Sequence, residues 1–507
     1  MTALLTSVEW VATGLGTAVA GLTWWRVAQR EHYEPGRCTS TLRLWLTKKP
    51  SSGAPYALGA AFAIASVKVP GLVAPAALSF AAAPIGLVIR KPWPRPAFTP
   101  RLRRLAGGWG LLHVAVAVAF RNPTVNAVLI PFGAPITDAV LAALKPLETA
   151  LSKKFVTSAR AKLAEVGPDV VAITGSYGKT STKAYTEALL ASETSVFASP
   201  ASFNNLMGLA RSVNDGLAPG TRVFVAEMGT YGPGEITRLT SIFPPKVAAI
   251  TTIGEAHLER MGSRATIVRA KLEIVEQAEI VVLNVDVPEL AQAADELAAT
   301  KTVIRCSTRA DAGADVAVVP HGGEWEVRDA TERRTTVAEP PGAGHPINLA
   351  IAIGISRALG VAWSGIESNL RRRLPSVAHR AEVSANAEGI YIVDDTYNAN
   401  PNGAAQALEH AAELSKDRRL WVVTPGMVEL GDQQDARNAD FAAQVMDVPN
   451  ATLVVVGDTN RRPLVAGSLA ERRMLARSRS EAMGMVGASA QAGDVVLFEN
   501  DLPDHYP

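Results

Sequence analysis

Asp169-Val-Val-Ala-Ile-Thr-Gly-Ser-Tyr-Gly-Lys-Thr180 joins a short apolar run to a glycine-rich turn. The apolar run is rich in β-branched side chains and predicts a buried strand. The stretch from Ser181 to Ala191, which follows the turn, predicts a helix. Glycines let backbone N–H groups approach a phosphate closely, and a helix N-terminus favours anions. The order of strand, turn, Lys-Thr and helix therefore predicts a phosphate-binding loop.

Each residue type in this loop suits one part of a bound ATP. Lys179 is placed to reach the β- and γ-phosphate oxygens, and the Thr180 hydroxyl is placed to ligate Mg²⁺. Gly175, Gly178 and Ser181 complete the ATP-binding residues predicted in the loop. The spacing departs from the general Walker motif, because two residues rather than four separate Gly175 from the Gly-Lys pair.

Further polar residues follow predicted strands downstream of the loop. Glu227 ends the strand that begins at Arg222, and His257 comes shortly after a strand from Lys246 to Thr252. Lys271 lies on the next helical stretch. Polar side chains at the carboxyl ends of parallel strands face the ligand crevice of an α/β sheet. Taken singly, a His or Lys in such a place is better explained by surface or structural polarity, and it is the combination of these residues that favours a site.

The bulk composition limits the domain count and the class of protein. A chain of 507 residues predicts two or three domains. A net charge of +2 gives no reason to expect nucleic-acid binding, and the two cysteines exclude a disulfide framework and fit a reducing compartment. After residue 150, Val/Ile-rich runs alternate with amphipathic stretches. This alternation predicts an α/β fold with parallel sheets and crossover helices.

Residues 1–150 are much more apolar than the rest and predict a helical membrane region. The candidate spans are Val8–Trp25, Tyr56–Val67, Val69–Ile89, Leu105–Phe120 and Val125–Leu144. Lys and Arg fill two of the loops between them, and positive loops stay in the cytoplasm. This pattern predicts three or five spans in the cytoplasmic (inner) membrane, with the part of the chain after about residue 145 in the cytoplasm. An Ala-rich soluble domain is the alternative.

Eight strings after residue 170 together resemble the Mur ligase family, which builds the peptide of the bacterial wall. In family order they are TGSYGKTSTK, FNNLMG, EMGTYGPGEI, TTIGEAHLERMGS, AKLEI, HRAEV, DDTYNANP and GMVELGD. DDTYNANP and ELGD are most similar to the branch that adds D-alanyl-D-alanine. The resemblance implies a P-loop-containing central domain at residues 151–374 and a Rossmann-like C-terminal domain at 375–507. The N-terminal membrane region, 1–150, stands where the family has a UDP-binding domain.

The resemblance also implies roles for individual residues. Lys179 and Thr180 hold ATP and a first Mg²⁺, and Glu227 is a further ligand of that ion. His257 binds a second Mg²⁺. Lys271 matches a lysine that the family carries as a carbamate, which converts a cation that would repel Mg²⁺ into an anion.

The remaining implied contacts involve the nucleotide base, the γ-phosphate and the substrates. Asn348 matches a residue near the adenine, although the preceding Gly-His-Pro departs from the family pattern. Arg380 closes over the γ-phosphate from the third domain, and Asp395 contacts the ribose or the hinge. The residues implied in substrate binding are Asn204, Asn205, Asn398 and Asn400.

These roles imply an ADP-forming ligase that joins a carboxylate to an amine through an acyl phosphate. The expected amine is D-alanyl-D-alanine or a similar small molecule, and the expected donor is linked to UDP or to a lipid. A membrane-associated poly-γ-glutamate type of ligase is the alternative within the same chemistry. Two readings of another class are a P-loop transporter ATPase and an inactive scaffold. Protein partners are not predicted.

Overall fold

The computed structural model describes residues 2–69, 71–88, 96–200, 203–255, 258–310, 313–331, 333–338, 345–372, 374–375, 382–396, 400–416, 418–500, 502 and 506. The chain forms two compact units. The first comprises Met1–Leu151 with Gly457–Thr459 and Leu502–Pro507, and the second comprises Ser152–Val456 with Asn460–Asp501.

The N-terminal part is helical, as predicted. Its helices are α1 (Thr2–Arg30), α2 (Arg37–Lys48), α3 (Ala54–Ala65), α4 (Val73–Ala81), α5 (Ile85–Val88), α6 (Pro100–Phe120), α7 (Pro123–Leu129) and α8 (Gly133–Val166). A buried cluster that includes Trp24, Trp45 and Leu105 packs these helices together.

The helices give less support for membrane spans than the sequence does. The apolar run Val69–Ile89, predicted as one span, is interrupted in its described part, because α4 ends at Ala81 and α5 begins at Ile85. Within the described residues, one helical stretch, Pro123–Val166, meets the length and apolarity that a span requires. Such a stretch is weak evidence alone, because core helices of soluble proteins also meet these criteria. The predicted three or five spans are therefore not supported by the helices.

The second unit contains a nine-stranded sheet around the phosphate loop. Its strands are β1 (Asp169–Thr174), β2 (Val196–Ala198), β3 (Val223–Glu227), β4 (Val247–Ile250), β5 (Ile280–Asn284), β6 (Thr302–Ser307), β7 (Val316–His321), β8 (Glu324–Asp329) and β9 (Arg334–Ala338). The strand order is β2-β3-β1-β4-β5-β6-β7-β8-β9. Strands β1 and β3–β5 are buried almost throughout, as strands covered by helices on both faces must be.

Helices cover both faces of this sheet and enclose two apolar cores. They are α9 (Lys179–Leu190), α10 (Leu206–Gly216), α11 (Glu235–Ile242), α12 (Leu258–Met261), α13 (Arg264–Leu272), α14 (Pro288–Leu297), α15 (Pro346–Ala358) and α16 (Trp363–Leu370). The strands from β2 to β7 in this order are parallel, as predicted. The sheet is nevertheless mixed, because β8 and β9 are antiparallel additions that the sequence did not predict.

A six-stranded sheet follows in the same unit. Its strands are β10 (Glu382–Ala385), β11 (Tyr391–Asp395), β12 (Leu420–Thr424), β13 (Ala451–Val456), β14 (Arg473–Ala476) and β15 (Val495–Glu499), in the order β10-β11-β15-β12-β13-β14. Only β10 pairs antiparallel. The helices are α17 (Pro401–Ser415), α18 (Gln434–Asp447), α19 (Arg461–Ala466) and α20 (Arg479–Gly487). This is the predicted Rossmann-like arrangement. The exact domain boundaries at 150 and 374 stay predictions.

Candidate functional site

The phosphate loop lies between β1 and α9, where the sequence places it. Gly178 precedes the helix with φ 79°, and a Cβ there would lie 2.1 Å from the Asn348 side-chain oxygen. A Cβ on Gly175 would lie 1.8 Å from the Thr251 hydroxyl. Both positions therefore require glycine, because any side chain would displace a neighbouring residue.

The loop is tied to the segment that follows β4. The Ser176 N–H donates to the Thr252 carbonyl at 2.9 Å, and the Gly254 N–H donates to the Ser176 hydroxyl at 2.9 Å. The Thr251 hydroxyl donates to the Tyr177 carbonyl. The carboxyl ends of β1 and β4 thus form one connected surface.

Lys179 is the first residue of α9 and lies across the loop. Its ammonium donates to the Gly175 carbonyl at 2.7 Å. Ser181, in the same first turn, is part-buried. The positive charge of Lys179 and the N-terminus of a 12-residue helix meet at the loop, which suits the binding of phosphate groups.

Glu227 lies at the end of β3 and is 3% exposed. The Thr180 hydroxyl donates to its carboxylate at 3.0 Å, and the Asn204 amide donates at 3.3 Å. The Lys183 ammonium lies 3.1 Å from the same carboxylate. Burial alone would raise the pKa of Glu227, but Lys183, Lys179 and the hydrogen bonds hold it below its usual value. Glu227 is therefore an anion beside the phosphate loop.

This arrangement fits a Mg²⁺ ion. The Thr180 hydroxyl and the Glu227 carboxylate are hard oxygen ligands, and they already lie within hydrogen-bond distance of each other at the helix N-terminus. Across the described residues, no group of three or more His, Cys, Asp or Glu side chains surrounds a common point. Mg²⁺ keeps several waters and shares nucleotide phosphates, so a few protein ligands suffice.

Lys271 lies on α13 and is 3% exposed. Within the part of the chain that the structure describes, its ammonium has neither a hydrogen-bond acceptor nor an ion-pair partner. Burial lowers the pKa of Lys271 well below its usual value, and the charge of Lys179 lowers it further. A neutral, buried amine is the form that reacts with CO₂, so the surroundings suit the predicted carbamate. His257, the predicted ligand of the second Mg²⁺, lies outside the described residues.

Asn348 is buried on α15 and contacts the phosphate loop. The Thr182 hydroxyl donates to its side-chain oxygen at 3.4 Å, and the same oxygen lies against Gly178. His345 caps α15, since its Nδ1 accepts from the Ile347 N–H at 3.2 Å. The structure thus places Asn348 behind the loop, and its predicted contact with adenine stays a prediction.

The predicted residues of the third domain are only partly described. Asp395 is buried at the end of β11, next to Glu499 on β15. Burial raises the pKa of Glu499 to about 8, against a lowering by the Thr424 hydroxyl and with a further rise from Asp395. Arg380 and Asn398 lie outside the described residues, so their roles stay predictions.

Two of the predicted substrate residues have structural roles. The Asn205 side-chain oxygen caps α10 by accepting from the Gly208 N–H at 2.9 Å. The Asn400 side-chain oxygen caps α17 by accepting from the Gly403 N–H at 2.8 Å. Substrate contacts of Asn204, Asn205 and Asn400 stay predictions.

Sequence reasoning assigned no role to Lys183 or Thr251, which lie within the site. Lys183 follows Lys179 by one helical turn, and this spacing places both lysines on the same face of α9. The four-residue spacing from Lys179 could have identified Lys183 in the sequence. No local pattern could have identified Thr251, because its contact with the loop depends on the pairing of β1 with β4.

Each of the two sheets lies in a segment that matches a known domain family. Residues 173–355 match the Mur ligase middle domain, and residues 379–499 match the Mur ligase, glutamate ligase domain. The two matches together cover more than half of the chain. They confirm the predicted order of a central and a C-terminal domain.

The chain is similar to enzymes named UDP-N-acetylmuramoyl-tripeptide--D-alanyl-D-alanine ligase. It is 29% identical to the one from Mycobacterium leprae (strain TN), over 71% of this chain and 75% of that protein. It is 32% identical to the one from Mycobacterium tuberculosis (strain ATCC 25618 / H37Rv), over 63% of this chain and 62% of that protein. The chain therefore spans less than two thirds of the length of the latter relative.

Solved structures show the same fold. A MurF ligase from Thermotoga maritima in complex with ADP is 26% identical, with a TM-score of 0.59 over 69% of this chain and 80% of that one. MurF from Acinetobacter baumannii has a TM-score of 0.60 at 23% identity, over 68% of this chain and 77% of that one. The phosphate loop, the buried Glu227 cluster and these matches agree, and the chain belongs to the Mur ligase family.

Proposed function

We propose that the chain is an ATP-dependent, ADP-forming ligase that joins D-alanyl-D-alanine to UDP-N-acetylmuramoyl-tripeptide in peptidoglycan synthesis. The observation that carries this proposal is the junction of the phosphate loop with the Thr180–Glu227 pair, at 3.0 Å. A carboxylate does not react with an amine unaided. Transfer of the γ-phosphoryl group of ATP to the donor carboxylate gives an acyl phosphate, and the amine then displaces phosphate to leave the amide.

The side chains divide this work by charge. Lys179 faces the loop and offsets negative charge on the transferring phosphoryl group, where preorganised charge lowers the barrier most. Thr180 and Glu227 would hold Mg²⁺, which when bound screens the phosphate oxygens. The Lys183 ammonium lies 3.1 Å from the Glu227 carboxylate and keeps it ionised. The Asn204 amide donates to the other oxygen of Glu227 and orients it. Lys271, as a carbamate, would add a second anion on the same side.

The identity of the amine rests on the relatives. The similar mycobacterial enzymes are named UDP-N-acetylmuramoyl-tripeptide--D-alanyl-D-alanine ligase. The string DDTYNANP begins with the last two residues of β11 and includes the buried Asn400. A buried amide at a substrate site discriminates strongly, because a wrong substrate leaves it unpaired. A poly-γ-glutamate type of ligase and a lipid-linked donor have no corresponding support. The intact phosphate loop and Glu227 cluster argue against an inactive scaffold.

We propose a membrane location for the N-terminal unit, with the catalytic part in the cytoplasm. Large apolar side chains of α1 and α6 are exposed, among them Leu4, Val11, Leu15, Leu111, Val118 and Phe120. A soluble monomer seldom exposes so many large apolar residues on two helices. The segments next to these helices are rich in Lys and Arg, which is typical of loops on the cytoplasmic side of a membrane.

Phosphate release by the purified full-length protein tests the activity. Release is expected only when ATP, UDP-N-acetylmuramoyl-tripeptide and D-alanyl-D-alanine are all present. Release with ATP alone would instead support a transporter ATPase. Release with a glutamate polymer in place of the UDP-linked donor would move the chain to the poly-γ-glutamate type.

A further inference from the structure

The second unit contains ion pairs that join its two sheet domains beside the phosphate loop. Glu255 follows β4, and Arg437 lies on α18 of the C-terminal domain. Two nitrogens of the Arg437 guanidinium donate to the two Glu255 carboxylate oxygens, at 2.5 and 2.9 Å. A paired geometry of this kind fixes orientation as well as distance.

A second pair lies a few residues further along the same segment. Arg260 donates to the Glu429 carboxylate at 2.9 Å, and the Arg260 guanidinium also stacks over the Tyr231 ring at 4.6 Å. The Glu259 N–H donates to the Glu429 carbonyl at 3.2 Å. Glu255 and Arg260 therefore attach to the C-terminal domain on both sides of position 257.

The C-terminal partners are held rigidly. Three asparagines bind the backbone of the loop that contains Glu429. Asn438 exchanges hydrogen bonds with Met427 at 2.8 and 2.9 Å. Asn460 and Asn500 donate to the Pro425 and Gly426 carbonyls, at 3.0 and 2.6 Å. Because this loop is hydrogen-bonded at several points, a shift of the C-terminal domain would move Glu429 with it and would not be taken up by a change in the loop.

The central partners are fixed to the phosphate loop. Gly254 is bound to Ser176, and the Tyr177 ring packs so closely on Gly254 that a Cβ there would lie 2.2 Å from it. A continuous series of contacts thus runs from Arg437 through Glu255 and Gly254 to the loop that precedes Lys179.

We propose that Arg437 and Glu429 are positioning residues for the ligase reaction. They act through Glu255 and Arg260, and through Gly254 they fix the position of the loop that precedes Lys179. This inference rests on the proposed ligase function, because it assigns a role in that reaction to residues outside the nucleotide site.

The test uses the full-length protein with Glu255→Gln and Arg437→Gln. Both side chains are part-exposed, so neither substitution leaves a buried cavity. Misplacement of reacting groups by about 1 Å costs up to roughly a hundredfold in rate. We expect kcat to fall roughly ten- to a hundredfold in each variant, while the Kd for ADP changes less than about twofold. Arg328→Gln, which breaks a comparable Arg–Glu pair on β8, is the control and should leave both unchanged.

A structural readout separates this inference from the proposed function. Spin labels at Gln292→Cys and Glu409→Cys report the distance between the domains without any donor or amine, and the native Cys38 and Cys306 are buried. Arg437→Gln should broaden this distance distribution in the presence of ADP. The exchanged pair Glu255→Arg with Arg437→Glu should narrow it again and recover part of kcat. Unchanged distances in Arg437→Gln, or an exchange that restores nothing, would overturn the proposal even if the enzyme is a ligase.

Discussion

Three lysine side chains lie near the phosphate loop, and each has different surroundings. Lys179 donates to the Gly175 carbonyl, and Lys183 pairs with Glu227 at 3.1 Å. Lys271 is as buried as Lys183 but has no anion among the residues that the structure describes. The same residue type is therefore set up for phosphate binding, for holding a carboxylate ionised, and, where burial lowers the pKa of Lys271, for reaction as an amine.

Lys179→Ala should reduce phosphate release at least about a hundredfold, because a preorganised charge at the phosphoryl group is removed. The melting temperature should stay near that of the parent protein. Lys301→Ala is a matched control, since Lys301 also donates to backbone carbonyls, at 2.7 and 3.2 Å, but lies away from the loop. Full activity of Lys179→Ala with normal folding would refute the assignment of the loop.

Lys271 should carry a carbamate in the active enzyme. Incubation with ¹³C-bicarbonate should give one carbamate signal by NMR, and the signal should be absent in Lys271→Ala. Lys183, which is ion-paired, should contribute no such signal. Activity of Lys271→Ala should be very low and partly restored by a short carboxylic acid. An enzyme that is fully active without any carbamate signal would contradict this prediction.

At the level of helices, two of the asparagines predicted to bind substrate are N-caps. Asn205 and Asn400 each begin a helix by accepting a backbone hydrogen bond, at 2.9 and 2.8 Å. For the asparagines in FNNLMG and DDTYNANP, the resemblance implied substrate contacts. The structural role accounts for one side-chain oxygen of each residue.

Asn205→Ala should lower the free energy of unfolding by about 1 kcal/mol, as the loss of an N-cap does. Asn205→Asp keeps the capping oxygen but removes the amide donor, so it should preserve stability. Chemical denaturation of the two variants, with turnover measured in parallel, separates the roles. If Asn205→Asp is stable but inactive, the amide contacts substrate; if both variants are equally destabilised, the cap assignment is wrong.

The strands that carry the site were predictable, because each is a short apolar run followed by polar residues. β1 and β3 begin and end within one residue of the predicted bounds. The antiparallel strands β8 and β9 were not predicted, although the alternation of buried and more exposed residues along β8 is itself a pattern typical of a half-buried strand. The length of the helix predicted from the run Val69–Ile89 was overestimated, because the length of an apolar run does not show where a helix is interrupted.

At the level of the whole molecule, the contacts between the two sheet domains could not be predicted from the sequence. Glu255 and Arg437 are separated by 182 positions, and no local pattern links them. The order of the two sheet domains was predictable from the motif strings. The role of the N-terminal unit was predicted from composition alone and remains a proposal.

Removal of the N-terminal unit should separate location from catalysis. A truncated chain of residues 152–507 should retain kcat on the soluble UDP-linked tripeptide within about threefold, because the described site lies wholly in the second unit. The full-length protein should sediment with membranes, and the truncated chain should not. If truncation abolishes turnover of the soluble donor while the chain stays folded, the N-terminal unit takes part in substrate binding.

The antiparallel addition to the central sheet also bears on aggregation. β9 is an edge strand, and an open edge can pair with the edge of another molecule. Within the described residues this edge spans Arg334–Ala338, and Arg334 lies 3.7 Å from Glu326 on the adjoining strand. Glu326 also pairs with Arg328 at 2.6 Å. These charges oppose edge-to-edge pairing, so the hairpin disfavours polymerisation of the sheet through this edge.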